Sequence, residues 1–212
     1  MRDVQVRLVS VSGIELILAS GSRFRQRMLE NAGVAFRVVT AVVDEPAARA
    51  KMTTDNAALA PGEVALRLAA LKALEVSRQF PDALVIGADQ VLALGAEIFG
   101  KPADRAAARA QLMSLRGLTH TLPTGVVLAQ GGQVVWRHLG VSSLEMRAFS
   151  EAFLDQYLVA AGDIIMETVG GYALEGLGAQ LFERIEGDYF TVIGLPLVPL
   201  LAELRQRGVL VV

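Results

Sequence analysis

Asp89 stands where a carboxylate is costly. It closes the run Ala83-Leu84-Val85-Ile86-Gly87-Ala88 and is followed by Gln90-Val91-Leu92-Ala93-Leu94. A carboxylate between two apolar runs must be paired, bound to a metal or used in chemistry, because burying it alone is expensive. Lys101 follows in Phe99-Gly100-Lys101-Pro102, so an acid and a base are joined by a short connection. Read as chemistry, they are a general base or metal ligand beside a phosphate-binding lysine. Read as structure, they are an ion pair at a sheet edge, since such pairs also perturb pKa values. Only three lysines occur, Lys51, Lys72 and Lys101, and arginine supplies the rest of the positive charge. A lysine in such a chain is favoured where a compact point charge is needed, which singles out Lys72 and Lys101.

Ser20-Gly21-Ser22 lies between an apolar run and a helical pattern. Backbone N–H groups at a helix start bind anions, and a glycine lets a phosphate approach closely. Arg23, Arg25 and Arg27 add positive charge there. An ordinary helix cap before a solvated arginine face accounts for the same residues. No Gly-Lys-Ser/Thr follows, so this is not a Walker loop. Lys72 follows Arg67 in a helical segment, where a solvated face is the plainer reading. Glu175, in Gly171-Tyr172-Ala173-Leu174-Glu175-Gly176-Leu177-Gly178, reads either as a carboxylate set to meet a ligand's base or sugar edge or as a loop acid in water. The glycines do not form the dinucleotide fingerprint. His120 reads as a strand residue on a polar face, and no nucleophile elbow or triad set occurs.

These residues need elements to hold them. Ile14 to Ala19 reads as a strand, Arg23 to Ala32 as a helix stopped by Gly33, and Val34 to Val39 as the next strand. Asp44 to Pro61 is alanine-rich and poorly periodic, and reads as a surface loop or lid. Pro61 to Gln79 is a helix, with Val64, Leu68, Leu71 and Val76 at helical spacing. The Asp89 strand leads into a hairpin at Gly95-Ala96, then a helix over 103–115 closed by Gly117. Thr119 to Ala129 and Gln133 to Leu144 flank Gly131-Gly132 as a long hairpin. Ser150 caps a helix over 151–160 that Gly162 ends. Gly170 to Gly178 reads as a close-packed loop, Leu181 to Ile185 and Phe190 to Ile193 as short strands, and Pro196 to Gln206 as the last helix. Parallel and hairpin signals together predict an α/β fold with a mixed sheet.

Composition narrows the function classes. A chain of 212 residues, 53% hydrophobic and 20% charged, is globular and long enough for a substantial core. The formal net charge of -2 lacks the basic surplus of nucleic-acid binders, so no nucleic acid polymer is expected as partner. With no cysteine and only two histidines, His120 and His138, disulfides, thiolate catalysis and cysteine- or multi-histidine metal centres are excluded. No signal-peptide pattern and no apolar run of membrane-spanning length is found. A cytoplasmic protein with no membrane partner is expected.

The order of the motifs carries more than any one of them. Leu16-Ile17-Leu18-Ala19-Ser20-Gly21-Ser22, Val43-Asp44-Glu45, Arg67-Leu68-Ala69-Ala70-Leu71-Lys72-Ala73, Ile86-Gly87-Ala88-Asp89-Gln90-Val91 and Gly100-Lys101-Pro102 resemble, in that order, the Maf family of nucleoside triphosphate pyrophosphatases. The second half resembles it too, in Leu115-Arg116-Gly117-Leu118-Thr119-His120, Glu175-Gly176-Leu177-Gly178, Phe182-Glu183-Arg184-Ile185-Glu186-Gly187 and Gly194-Leu195-Pro196-Leu197. The resemblance covers residues 14–207. It implies an elongated two-lobed domain over 14–212 with a central cleft, preceded by an N-terminal extension over 1–13. It also implies hydrolysis of a nucleoside triphosphate to the monophosphate and pyrophosphate with Mg²⁺ or Mn²⁺, and it allows a homodimer.

Carried onto this chain, the resemblance makes Asp89, Lys72 and Lys101 catalytic. It gives substrate contacts to Ser20, Arg25, Glu45, Gln90 and Glu175, and metal contacts to Asp89, Glu45 and Asp44. Two segments depart from the family pattern. Ser22-Arg23-Phe24-Arg25 stands for the usual Ser-Pro-Arg-Arg, so Phe24 replaces an arginine. Glu167-Thr168-Val169-Gly170-Gly171-Tyr172 stands for Asp-Lys-Ala-Gly-Ala-Tyr. The dTTP and UTP branch places threonine after the core aspartate and glutamine before the later Gly-x-Gly. Gln90 and Glu175 at those places resemble the 7-methyl-GTP branch instead, and a carboxylate suits the N1–H and N2–H₂ donors of guanine. The alternatives are a dTTP/UTP pyrophosphatase, a pyrophosphatase of deaminated purine nucleotides, and a non-enzymatic nucleotide-binding regulator of septum formation.

Overall fold

In the computed structural model, residues 13–56 and 58–211 are described. The expected N-terminal extension therefore lies, apart from Gly13, outside the described residues. The chain is α/β. Strands β1 (Leu16–Leu18), β2 (Arg37–Val38), β3 (Leu84–Gln90), β4 (Leu92–Leu94), β5 (Glu97–Phe99), β6 (Thr119–Gln130), β7 (Gln133–Met146) and β8 (Phe182–Glu186) form one mixed sheet. Its order is β2-β1-β3-β6-β4-β5, with β7 against β6 and β8 against β7. Strands β2, β1 and β3 are parallel; the other pairings are antiparallel. Strand β6 serves two neighbours, pairing with β3 over 124–129 and with β4 at Thr121. The β6–β7 hairpin turns at Gly131 and Gly132, both at positive φ, where a side chain would be strained.

The sheet around β1 and β3 is covered on both faces, which is why its strands read as continuous apolar runs. Successive side chains alternate between faces. Leu16 and Leu18, with Leu84, Ile86 and Ala88, pack beneath helices α1 (Arg23–Asn31) and α8 (Leu197–Gln206). Ile17 and Val85 face the other way, towards Ala69, Ala73 and Val76 of α3 (Pro61–Gln79). A further core gathers Leu112 of α4 (Arg105–Leu115), Leu154 and Tyr157 of α5 (Glu151–Ala161), Ile165 of α6 (Ile164–Glu167) and the far ends of β6 and β7. Among the described residues, no helix is long and apolar enough to cross a membrane.

Two segments differ from the sequence expectation. The stretch after Asp44 is not a loop: Glu45–Asp55 forms helix α2. Asp44 Oδ1 accepts the Ala47 N–H at 3.0 Å, and Pro46 sits in the first turn, both favourable at a helix start. Ala48 and Met52, one turn apart, pack towards Val64, Ala65 and Leu68 of α3. Two contacts one turn apart leave too faint a periodicity to see among so many alanines. The expected strand at Phe190–Ile193 is helix α7 (Tyr189–Ile193). Asp188 Oδ2 accepts from both the N–H and the hydroxyl of Thr191 at 2.7 Å, and Gly194 closes the turn in the left-handed region. Those caps override the strand preference of the aromatic and β-branched run. Within α3 the expected inner face holds at Val64, Leu68 and Val76, whereas Leu71 is exposed.

The separation of α3 from the sheet is set by glycine. A Cβ at Gly87 would lie 2.2 Å from the Ala69 carbonyl oxygen, and one at Gly125 would lie 2.8 Å from that of Ala65. Gly125 pairs directly with Asp89. The two hydrogens where side chains would stand let the helix rest against the strands beside Asp89. A Gly87→Ala variant is expected to be destabilised by about 1–3 kcal/mol, because backbone cannot rotate out of the clash. Urea denaturation checks this, and an unchanged midpoint would show that the helix lifts freely.

Candidate active site

Strand alternation puts Asp89 on the face of β3 that carries Val85 and Gly87, towards α3. Lys72, on the fourth turn of α3, meets it there. Lys72 Nζ donates to Asp89 Oδ1 at 2.6 Å and reaches Glu45 Oε1 at 2.8 Å. Lys72 and Asp89 are 8% and 5% exposed, so the pair is a buried one, while Glu45 is half-exposed at the start of α2. Two corrections follow. Asp89 is paired with Lys72 rather than with its sequence neighbour Lys101, and Lys72 is not on a solvated helix face. Seventeen residues separate the partners; packing of α3 on the sheet brings them together.

Gln90 points to the opposite face. Its Nε2 donates to the carbonyl oxygens of Thr191 and Val192 at 2.9 and 3.2 Å and contacts Thr124 Oγ1 at 2.8 Å. Two carbonyl partners fix which end of the amide is nitrogen. Arg25, on the first turn of α1, donates through Nη1 to Ser20 Oγ at 3.1 Å and through Nε to the Gly194 carbonyl at 2.7 Å. The Ser22 N–H is 3.3 Å from Ser20 Oγ, and no side chain caps α1, so the helix start remains able to receive an anion.

These groups shift one another's protonation. Burial raises Asp89 above the ordinary carboxylate range, with Lys72 and Arg25 opposing and Glu45 reinforcing. Burial also pushes Glu45 upward, but Lys72, then Arg25 and Lys101, overcome it, and its pKa falls. Burial lowers Arg25, against Asp89 and Glu45. Two carboxylates on one ammonium thus titrate apart, the more buried being the stronger base.

A cleft of about 810 Å³ collects Ser20, Arg25, Asp44, Glu45, Lys72, Asp89, Gln90 and Lys101. It opens at the carboxyl ends of β1 and β3, the usual ligand position in an open α/β sheet. Of the expected site residues only Glu175 lies elsewhere. It lines an adjoining pocket of about 40 Å³ that shares Phe24, Gln90, Thr168, Val169 and Ile193 with the cleft. Burial raises the Glu175 pKa, with Arg27 and Arg23 opposing.

The chain matches known proteins over most of its length. The profile of Maf-like proteins matches residues 15–207. The chain belongs to the Maf family. A 7-methyl-GTP pyrophosphatase of Mesorhizobium japonicum is 50% identical over 194 residues, 92% of this chain and 96% of that protein. A nucleoside triphosphate pyrophosphatase of Paramagnetospirillum magneticum is 52% identical over 195 residues, 92% of this chain and 100% of that one. A 7-methyl-GTP pyrophosphatase of Brucella abortus is 49% identical over 194 residues, 92% of this chain and 96% of the relative.

This Maf chain also brings residues to the cleft that the sequence reading did not single out. Arg49 of α2 and Thr40 line it, as does Glu167, which forms an ion pair at 3.0 Å with Arg23 of the expected basic cluster. Arg49 lay in the segment read as a loop; the Asp44-Glu45-Pro46 start signal would have put it on a helix. His120 is not on a polar face. It is 1% exposed, its Nε2 is 2.7 Å from the Tyr172 hydroxyl, and burial lowers its pKa to about 4. It is neutral and internal, away from the cleft.

Proposed function

We propose that this Maf-family chain is a nucleoside triphosphate pyrophosphatase acting on 7-methyl-GTP. The observation that carries the reading is the buried Asp89–Lys72 pair on the wall of a cleft that also holds Arg25, Lys101 and the open start of α1. Water attacks the α-phosphorus, Asp89 takes its proton, the α–β bridging P–O bond breaks, and pyrophosphate leaves. Burial makes Asp89 a better base than a solvated carboxylate. Lys72 fixes its direction through one oxygen, which leaves the other for the water. The helix start at Ser20–Ser22, with Arg25 and Lys101, receives phosphate oxygens, so that positioning and charge stabilisation supply most of the rate.

A divalent ion fits this donor set only when shared with substrate. Among the described residues, no group of three or more histidine, cysteine, aspartate or glutamate side chains stands ready to hold one. Asp89 and Glu45 each give one oxygen to the Lys72 ammonium, and Asp44 is beside them on the cleft wall. Mg²⁺ is commonly held by one or two carboxylates together with substrate phosphates. The cleft lining has five cationic side chains (Arg23, Arg25, Arg49, Lys72, Lys101) against four acids (Asp44, Glu45, Asp89, Glu167). That surplus falls short of a triphosphate's charge. Mg²⁺ or Mn²⁺ held by one or two of the carboxylates Asp89, Glu45 and Asp44 together with the substrate's phosphates would supply the missing positive charge and polarise the phosphoryl oxygens.

The base follows from acceptors. The Gln90 amide spends its nitrogen on protein carbonyls, so the group it has left to offer is an oxygen, and Glu175 offers a carboxylate. Guanine presents N1–H and N2–H₂ donors to such an edge. Relatives about half identical to this chain are named 7-methyl-GTP pyrophosphatase, which supports the same substrate. Pyrophosphate release from 7-methyl-GTP, GTP, UTP, dTTP and inosine triphosphate, each with Mg²⁺, Mn²⁺ or a chelator, tests the reading. Fastest turnover of 7-methyl-GTP, abolished by chelator, is expected; faster turnover of UTP or dTTP overturns the substrate assignment.

A further inference from the structure

Seven of the eight phenylalanines lie in or against a hydrophobic cluster of the described residues; Phe24 belongs to none. Its ring is half-buried on the first turn of α1, two residues after the anion-receiving Ser20–Ser22 loop. It lines both the cleft and the small Glu175 pocket, and among the described residues is the only aromatic one common to the two. It already stands beside a cation, since the Arg23 guanidinium carbon is 5.2 Å from the ring centroid. Glu167 neutralises that guanidinium at 3.0 Å. An aromatic ring with no core to fill, lining both the cleft and the small pocket, is placed to meet a planar group that enters either.

We infer that Phe24 is the platform on which the purine stacks, and that it selects the methylated base by charge. The inference rests on the 7-methyl-GTP reading above and extends it to a residue for which that reading had no use. Methylation at N7 places a formal positive charge on the purine's imidazole ring. A cation over an aromatic face is attracted by the ring quadrupole, and base stacking on an aromatic side chain adds to it. Unmethylated guanine receives only the stacking. Gln90 and Glu175 read the donor edge that both bases share, so they do not separate the two; Phe24 does. The departure from the family's usual arginine has a physical reason here, because an arginine at position 24 would repel a cationic base.

Steady-state kinetics on Phe24→Leu and Phe24→Tyr, with 7-methyl-GTP and GTP as paired substrates, test this. The leucine variant is expected to raise KM for 7-methyl-GTP about tenfold, within the range for losing one stacked base, with a smaller rise for GTP. The ratio of the two kcat/KM values therefore moves towards one. The tyrosine variant, which keeps an electron-rich ring, is expected to retain the ratio, and thermal melts verify that both variants fold. Equal losses on both substrates, or an undiminished preference in the leucine variant, overturn the platform while leaving the substrate reading intact. A wild-type protein with no preference for 7-methyl-GTP over GTP overturns both.

Discussion

Asp89→Asn is expected to abolish pyrophosphate release, by about 10²–10⁴-fold if the carboxylate acts as the general base, while leaving a folded, nucleotide-binding protein. The amide keeps the shape and the hydrogen bond from Lys72 but cannot take a proton from water. Stability should barely move, within about 1 kcal/mol. Removing a buried charge relieves its desolvation, and Lys72 retains Glu45 at 2.8 Å. In the wild type, burial holds Asp89 above the ordinary carboxylate range, so activity should fall on the acid side as pH drops through that raised value. The measurements are turnover against pH, nucleotide binding and thermal melting. Near-normal turnover in the variant would remove Asp89 from the chemistry.

Lys72→Met carries the second large effect, and here stability suffers as well. The variant leaves Asp89 buried beside Glu45 with their shared counter-ion gone, and losing one member of a buried pair costs about 3–5 kcal/mol. Without Lys72, the folded-state pKa of Asp89 moves further above its unfolded value. Such a group contributes stability below the unfolded pKa and loses it as pH rises through the folded one. Glu45, which Lys72 holds low, also moves up. The deficit should therefore be small in acid and grow towards neutrality, and urea midpoints at several pH values follow it. A deficit that does not change with pH would mean that the lysine contributes packing and not charge. Turnover should fall at every pH.

Much of this was readable in advance, for local reasons. Pro61 and the apolar spacing after it define α3 to the residue, and Gly131-Gly132 marks the long hairpin. Asp89 stands out because its neighbours are apolar on both sides. What could not be read depends on packing or on short-range capping. Lys101 looked like the partner of Asp89 because it is close in sequence. The true partner comes from α3, and only the contact of that helix with Gly87 and Gly125 makes the pairing possible. Helices α2 and α7 were missed because capping by Asp44 and Asp188 decides them, against weak periodicity in one and strand-like residues in the other. His120 is internal because the tertiary fold closes over it with Tyr172. The ordered motifs conveyed the cleft as a whole, but not that Glu175 occupies a separate recess behind Phe24.

Residues 89 and 90 are consecutive on one strand and face opposite ways. Asp89 meets α3 and the lysine; Gln90 meets α7 through the carbonyls of Thr191 and Val192. The two side chains line one cleft but are held by different helices, so each is fixed by its own set of contacts. A substitution at Gln90 therefore disturbs the contacts with α7 while leaving the Asp89–Lys72 pair beneath α3 in place, which lets the two halves of the cleft vary one at a time.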